Sequence, residues 1–91
     1  METIEIQILA QDVRNAGNFL DVNNCILATA IKRQLNTTDV GVAVGHSRIG
    51  YVTYYHDRYE YGMHNKDRMY SLNSPNDTLI RTILLNKQKN Q

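Results

Sequence analysis

Residues able to do chemistry are concentrated in the middle of this chain: all six tyrosines lie between Tyr51 and Tyr70, and all three histidines between His46 and His64. Arg48, Arg58, Lys66 and Arg68 fall in the same stretch. Tyrosine rings stack on flat ligands and guanidinium forks grip phosphate at two points, the pairing that nucleotides and single-stranded nucleic acids reward. The candidate ligand-binding residues are therefore Arg48, Tyr51, Tyr54, Tyr55, His56, Arg58, Tyr59, Tyr61, His64 and Arg68. Within that set Arg48, Arg58 and Arg68 suit phosphate, and Tyr51, Tyr54, Tyr55, Tyr59 and Tyr61 suit a base. Neighbours along a strand point to opposite faces, so these tyrosines do not all enter one site. A purely architectural role competes with binding, because tyrosine is a good strand former whose ring packs while its hydroxyl stays wet.

Other chemistries are poorly supplied. His46, His56 and His64 match no compact zinc-ligand spacing and Cys25 sits far from them in sequence, so neither a metal nor another cofactor is expected. A histidine among tyrosines can move protons near neutral pH, as in metal-independent nucleases. No nucleophile elbow, Walker loop or carboxylate pair accompanies it, and the expectation is a binding protein rather than an enzyme. Gly41, Gly45 and Gly50 are spaced as strand punctuation, with no helix opening after them to cradle phosphate. Cys25 falls in the first turn of an expected helix, where the dipole lowers a thiol pKa; the competing reading is a small buried hydrophobe.

The elements that must position these residues follow from periodicity. Ile4, Ile6 and Ile8 alternate with polar residues and predict a strand over 4–9, and a helical turn over 11–16 ends at Gly17-Asn18. Leu27, Ile31 and Leu35, with Ala28 beside them, predict an amphipathic helix over 23–35. Val40, Val42 and Val44 predict a short strand with those side chains inward. Residues 48–56, 59–63 and 68–72 read as further strands of an antiparallel meander, separated by turns at 56–58 and 65–67. Ser74-Pro75-Asn76-Asp77 resembles a capped helix start, and Leu79, Ile80, Ile83 and Leu84 form a stripe that predicts a closing helix over 75–87. The fold class expected is α+β: a small antiparallel sheet of about four or five strands packed against two helices, with 88–91 as a frayed tail.

Composition bounds the rest. At 91 residues, 42% apolar and 21% charged, the chain suits one folded domain with one modest core. A formal net charge of +1 without runs of like charge argues against wholesale capture of nucleic acid. Its one cysteine makes no internal disulfide, the first residues lack a leader pattern, and no apolar run approaches the roughly 18 residues of a membrane span, so the expected setting is cytoplasmic.

The run Asn24-Cys25-Ile26-Leu27-Ala28-Thr29-Ala30-Ile31-Lys32-Arg33, followed by Asp39-Val40-Gly41-Val42-Ala43-Val44-Gly45, resembles short bacteriophage accessory proteins with a C-x-[IL]-A-x-A-[IL]-[KR]-R helix and a D-V-x-V strand. The resemblance covers about the first half of the chain. The tyrosine-rich segment from Tyr51 to Lys66 departs from the compact hairpin of such proteins. The resemblance implies a counter-defence protein in the cytoplasm of an infected bacterium, acting by binding. The expected activity is sequestration of a small anionic nucleotide signal, cyclic or of ADP-ribose type, by a homo-oligomer that does not turn it over. Two alternatives stand beside it: an inhibitor docking directly on a host defence protein, and a nucleic-acid binder using an aromatic sheet platform.

Overall fold

Strand β1 (Thr3–Leu9) opens the chain with the expected alternation: Ile6 and Ile8 are buried while Glu5 and Gln7 face water. The computed structural model describes residues 2–59 and 61–88, with Tyr61 described by its backbone alone. Helices α1 (Ala10–Asn15) and α2 (Ile26–Leu35) follow, then strands β2 (Val40–Ala43), β3 (His46–Ile49) and β4 (Val52–Tyr55), helix α3 (Tyr61–Ser71) and strand β5 (Leu79–Lys87). The fold is α+β, with one antiparallel sheet in the order β1-β5-β4-β3-β2 and three helices among the described residues.

One face of the sheet carries the core. Ile6 pairs with Ile83 and Ile4 with Leu85, and this face meets Ile26, Leu27, Ala30 and Ile31 of α2. Ser47, Tyr54 and Val40 extend the same face across the other strands. The opposite face is open to solvent: Thr3, Glu5, Gln7, Thr82, Leu84, Thr53, Tyr55, His46 and Arg48 are all exposed.

Both sheet edges are covered by the chain itself. On β1, the Gln34 side chain accepts from the Gln7 N–H at 2.9 Å and donates to the Glu5 carbonyl at 2.5 Å, standing in for a neighbouring strand. Arg33 adds a bond from Nη2 to the Gln7 carbonyl at 2.8 Å while its Nε holds buried Asp12 at 2.8 Å. Asp12 in turn accepts from the Leu9 N–H at the start of α1, which fixes the corner between β1 and α1. On β2, the Val42 N–H donates to the Val22 carbonyl at 2.8 Å.

Several expectations are corrected. The segment expected as a closing helix over 75–87 is a turn, closed by Thr78 N–H on the Pro75 carbonyl at 3.0 Å, and then β5. The Leu79–Leu84 stripe fits either period; β-branched Ile80, Thr82 and Ile83 favour a strand, and the pairing partners waiting on β1 and β4 decide it. The meander is confined to β2, β3 and β4, because 59–63 and 68–72 contribute to α3 instead of forming strands. What marks α3 is the i, i+3, i+7 spacing of buried His64, Asp67 and Ser71, a polar stripe that an apolar-period search passes over. The strand expected over 48–56 is broken by a two-residue turn at Gly50-Tyr51, where Gly50 adopts φ +61. Val44 does not point inward; it is 71% exposed in the β2–β3 turn beside Gly45, whose φ is +76. The helix expected from 23 begins at Ile26, because Asp21 holds Asn23 and Asn24 in a turn. Of the expected tail, Gln88 donates its N–H to the Thr53 carbonyl at 2.9 Å, and 89–91 lie outside the described residues.

Replacing Gln34 by alanine removes both side-chain bonds to β1 and opens its edge. The expected result is a loss of about 1–2 kcal/mol in urea unfolding, together with faster aggregation on mild heating.

Candidate functional site

Local ties in the loop after α1 and one long-range bond to α3 build a cleft beneath that helix. The loop after α1 is tied to itself: Asn18 Oδ1 accepts the Leu20 N–H at 2.9 Å, and the Asp21 carboxylate accepts from the Asn23 N–H and the Asn24 amide at 3.1 and 3.2 Å. Those bonds, the Asn24 amide foremost, hold the Asp21 carboxyl below the usual aspartate value. Phe19, at the crest of this loop, is thereby presented to α3. Arg68 on α3 donates from Nη2 to the Gly17 carbonyl at 2.6 Å and locks loop and helix together.

The result is a cleft of about 270 Å³ bordered by Asn18, Phe19, His64, Asn65 and Arg68. The His64 ring lies between two aromatics, 5.8 Å from Phe19 and 5.7 Å from Tyr59 between centroids, tilted at 60° and 66°. It is buried, and its Nε2 has no hydrogen-bond partner among the described residues. Burial pushes the His64 pKa below its ordinary 6.5; the Arg68 charge pushes the same way, against the pull of Asp67. The imidazole is therefore neutral at pH 7 and offers one nitrogen without charge.

Behind His64 a buried carboxylate fixes the helix. Asp67 is fully buried, receives the Arg81 fork from β5 with Nη2 at 3.0 Å and Nε at 3.2 Å, and accepts the Tyr59 hydroxyl. Burial first, and then the Asp67 bond, drive the Tyr59 phenol far above its ordinary 10, so it remains a donor. Cys25, the cap residue of α2, is buried with its thiol pKa raised chiefly by desolvation. Of the two readings that the sequence offers for Cys25, this burial supports the small buried hydrophobe over the dipole-lowered thiol.

The ten residues singled out from sequence disperse. His64 and Arg68 border the cleft, and Tyr59 backs it. Arg48 and Tyr55 are on the open sheet face, where Tyr55 meets His46 edge-on at 5.7 Å. Tyr51 is 94% exposed at a hairpin tip. Tyr54 packs in the core with its hydroxyl on Glu2 Oε1 at 2.7 Å. His56 is buried at the end of β4, its Nδ1 on the Asp57 carbonyl and its Nε2 unpartnered among the described residues. Arg58 is exposed in the following segment, and the Tyr61 side chain lies outside the described residues.

Phe19, Asn18 and Asn65 were not singled out from sequence; an isolated phenylalanine in a polar loop is the one local sign of the first. Asp67 and Arg81 were also passed over, and only the α3–β5 packing joins them. Among the described residues no group of three or more His, Cys, Asp or Glu side chains is placed to hold a metal ion, and no helix is long and apolar enough to cross a membrane. Compared with known proteins, the chain matches no protein-family model, no curated protein and no solved structure.

Two outcomes are expected. Arg81→Met strands the Asp67 carboxylate and lowers unfolding free energy in urea by about 3 kcal/mol, the low end for a broken buried pair because Arg81 keeps one side in water. His64 binds a proton more readily in the unfolded chain, so its contribution to stability is complete above pH 6.5 and erodes as the pH falls below that value. His64→Asn should therefore lose less Tm than the native chain between about pH 7 and pH 5.5.

Proposed function

We propose that the protein binds a small anionic nucleotide-type ligand in the Phe19–His64–Arg68 cleft without turning it over. On this reading it acts as a phage-type counter-defence protein that sequesters a nucleotide immune signal. The observation that carries the reading is the unpartnered Nε2 of buried His64 on a wall shared with an aromatic ring and a guanidinium. A buried polar atom left open costs stability that a ligand atom would restore. Phe19 suits the face of a base, Asn18 and Asn65 suit its polar edge, and the Arg68 donors not spent on Gly17 suit phosphate. Binding without chemistry is favoured because Tyr59 and Asp67 are committed to each other and to Arg81.

Size shapes the proposal. A cleft of about 270 Å³ accepts roughly one nucleoside, below the usual range for larger ligands. A dinucleotide or ADP-ribose-type signal would extend beyond it, and a second subunit would have to cover the remainder, which is the reason to expect a homo-oligomer.

A thermal-shift screen with AMP, ADP-ribose and cyclic mono- and dinucleotides tests the reading. A true ligand at about 100 times its Kd adds about 2.7 kcal/mol of stability. The shift should vanish in Arg68→Gln, and mass spectrometry should recover the ligand unchanged. No shift with any nucleotide overturns the proposal. A second reading, direct docking on a host defence protein, draws on Met69, Tyr70 and Leu72, all more than half exposed at the end of α3. Co-purification of one stoichiometric host protein with no small molecule retained would favour it.

A further inference from the structure

Gly41 sits inside β2 with no structural need to be glycine. Its φ is not positive, unlike those of Gly45 and Gly50, and a Cβ built on it meets nothing within 4 Å. Glycine inside a strand forfeits both backbone entropy and side-chain packing, and with no bulge or crowding beside it leaves room for the close approach of a ligand. On the open sheet face Gly41 pairs with Arg48, and Arg48 with Thr53. The missing side chain leaves a shallow depression of about 250 Å³ bordered by Gly41, Ala43, His46, Arg48 and Thr53.

A further feature points to an occupant. Arg48 spends its Nε on the Gly50 carbonyl at 3.0 Å, which steadies the guanidinium while both NH2 groups make no bond among the described residues. The depression is apolar and, at about 250 Å³, has room for one aromatic ring. A cation fixed at its margin selects for negative charge.

We propose that this notch is a second binding site, distinct from the His64 cleft and on the opposite face of the sheet, for a small planar aromatic ligand carrying a carboxylate or phosphate. The ring rests over Gly41 and the anionic group meets the free NH2 groups of Arg48. Because the two sites share no residue, failure of one leaves the other standing.

The test is an amide chemical-shift titration of the whole chain with benzoate and indole-3-acetate, each beside its neutral amide. The expected result is saturable shifts at Gly41, Ala43, Arg48 and Thr53, with each acid binding about fivefold tighter than its amide, a modest charge-assisted preference. Gly41→Val fills the notch; it should abolish the shifts while leaving the melting temperature equal or higher, since valine suits a strand and nothing obstructs it. Arg48→Gln should erase the preference for acid over amide. Absence of saturable shifts with either acid, or shifts that persist in Gly41→Val, overturns the proposal.

Discussion

A single buried carboxylate decides where the last helix lies. The face that α3 turns inward is polar, with His64, Asp67 and Ser71 buried, while Met69, Tyr70 and Leu72 at its end face water. Hydrophobic burial alone would roll this helix the other way. The Arg81 fork and the Tyr59 hydroxyl prevent that, because turning Asp67 outward would strand two partners and turning it inward without them would bury a lone charge. The position of His64 three residues earlier is a consequence, as is the reach of Arg68 to the Gly17 carbonyl. The cleft thus inherits its geometry from an ion pair that does not line it.

Asp12 does the same work for α1. It too is buried, and it is satisfied by Arg33 from α2 and the Leu9 N–H at the corner of β1. A domain of 91 residues buries a limited apolar core, and here the two ion pairs supply orientation where side-chain packing is sparse. The apolar cluster of Ile6, Ile8, Ile26, Leu27, Ile31 and Leu85 holds α2 to the sheet; the two carboxylates set the angles of α1 and α3 around it.

What the sequence made legible was what local pattern determines. The alternation of Ile4, Ile6 and Ile8 gives β1 its face, and the Leu27–Ile31 spacing gives α2 its buried side. The segment from Leu79 to Lys87 is ambiguous in sequence because its apolar residues satisfy a helical and a strand period at once, and the choice rests on vacancies in the sheet between β1 and β4. Helix α3 was misread as strands for the complementary reason: its buried positions are polar, and their burial depends on Arg81 and Tyr59, which local periodicity does not connect. The tyrosines clustered in sequence yet dispersed in space because a hairpin turn at Gly50-Tyr51, the alternation of Tyr54 and Tyr55, and the start of α3 each intervene.

Three buried polar atoms remain open among the described residues: Ser47 Oγ, His56 Nε2 and His64 Nε2. The fold satisfies its buried carboxylates, the groups with the largest desolvation penalty, and leaves these three atoms, each costing about 1–3 kcal/mol when unpaired. His64 carries its open atom in a residue that borders a cleft, whereas Ser47 Oγ belongs to the core face of the sheet, beside Tyr54. His56 borders neither depression. The distinction separates two kinds of unpaired atom in one small core. One kind, at His64, lies beside a cleft; the other, at Ser47 and His56, lies inside the protein.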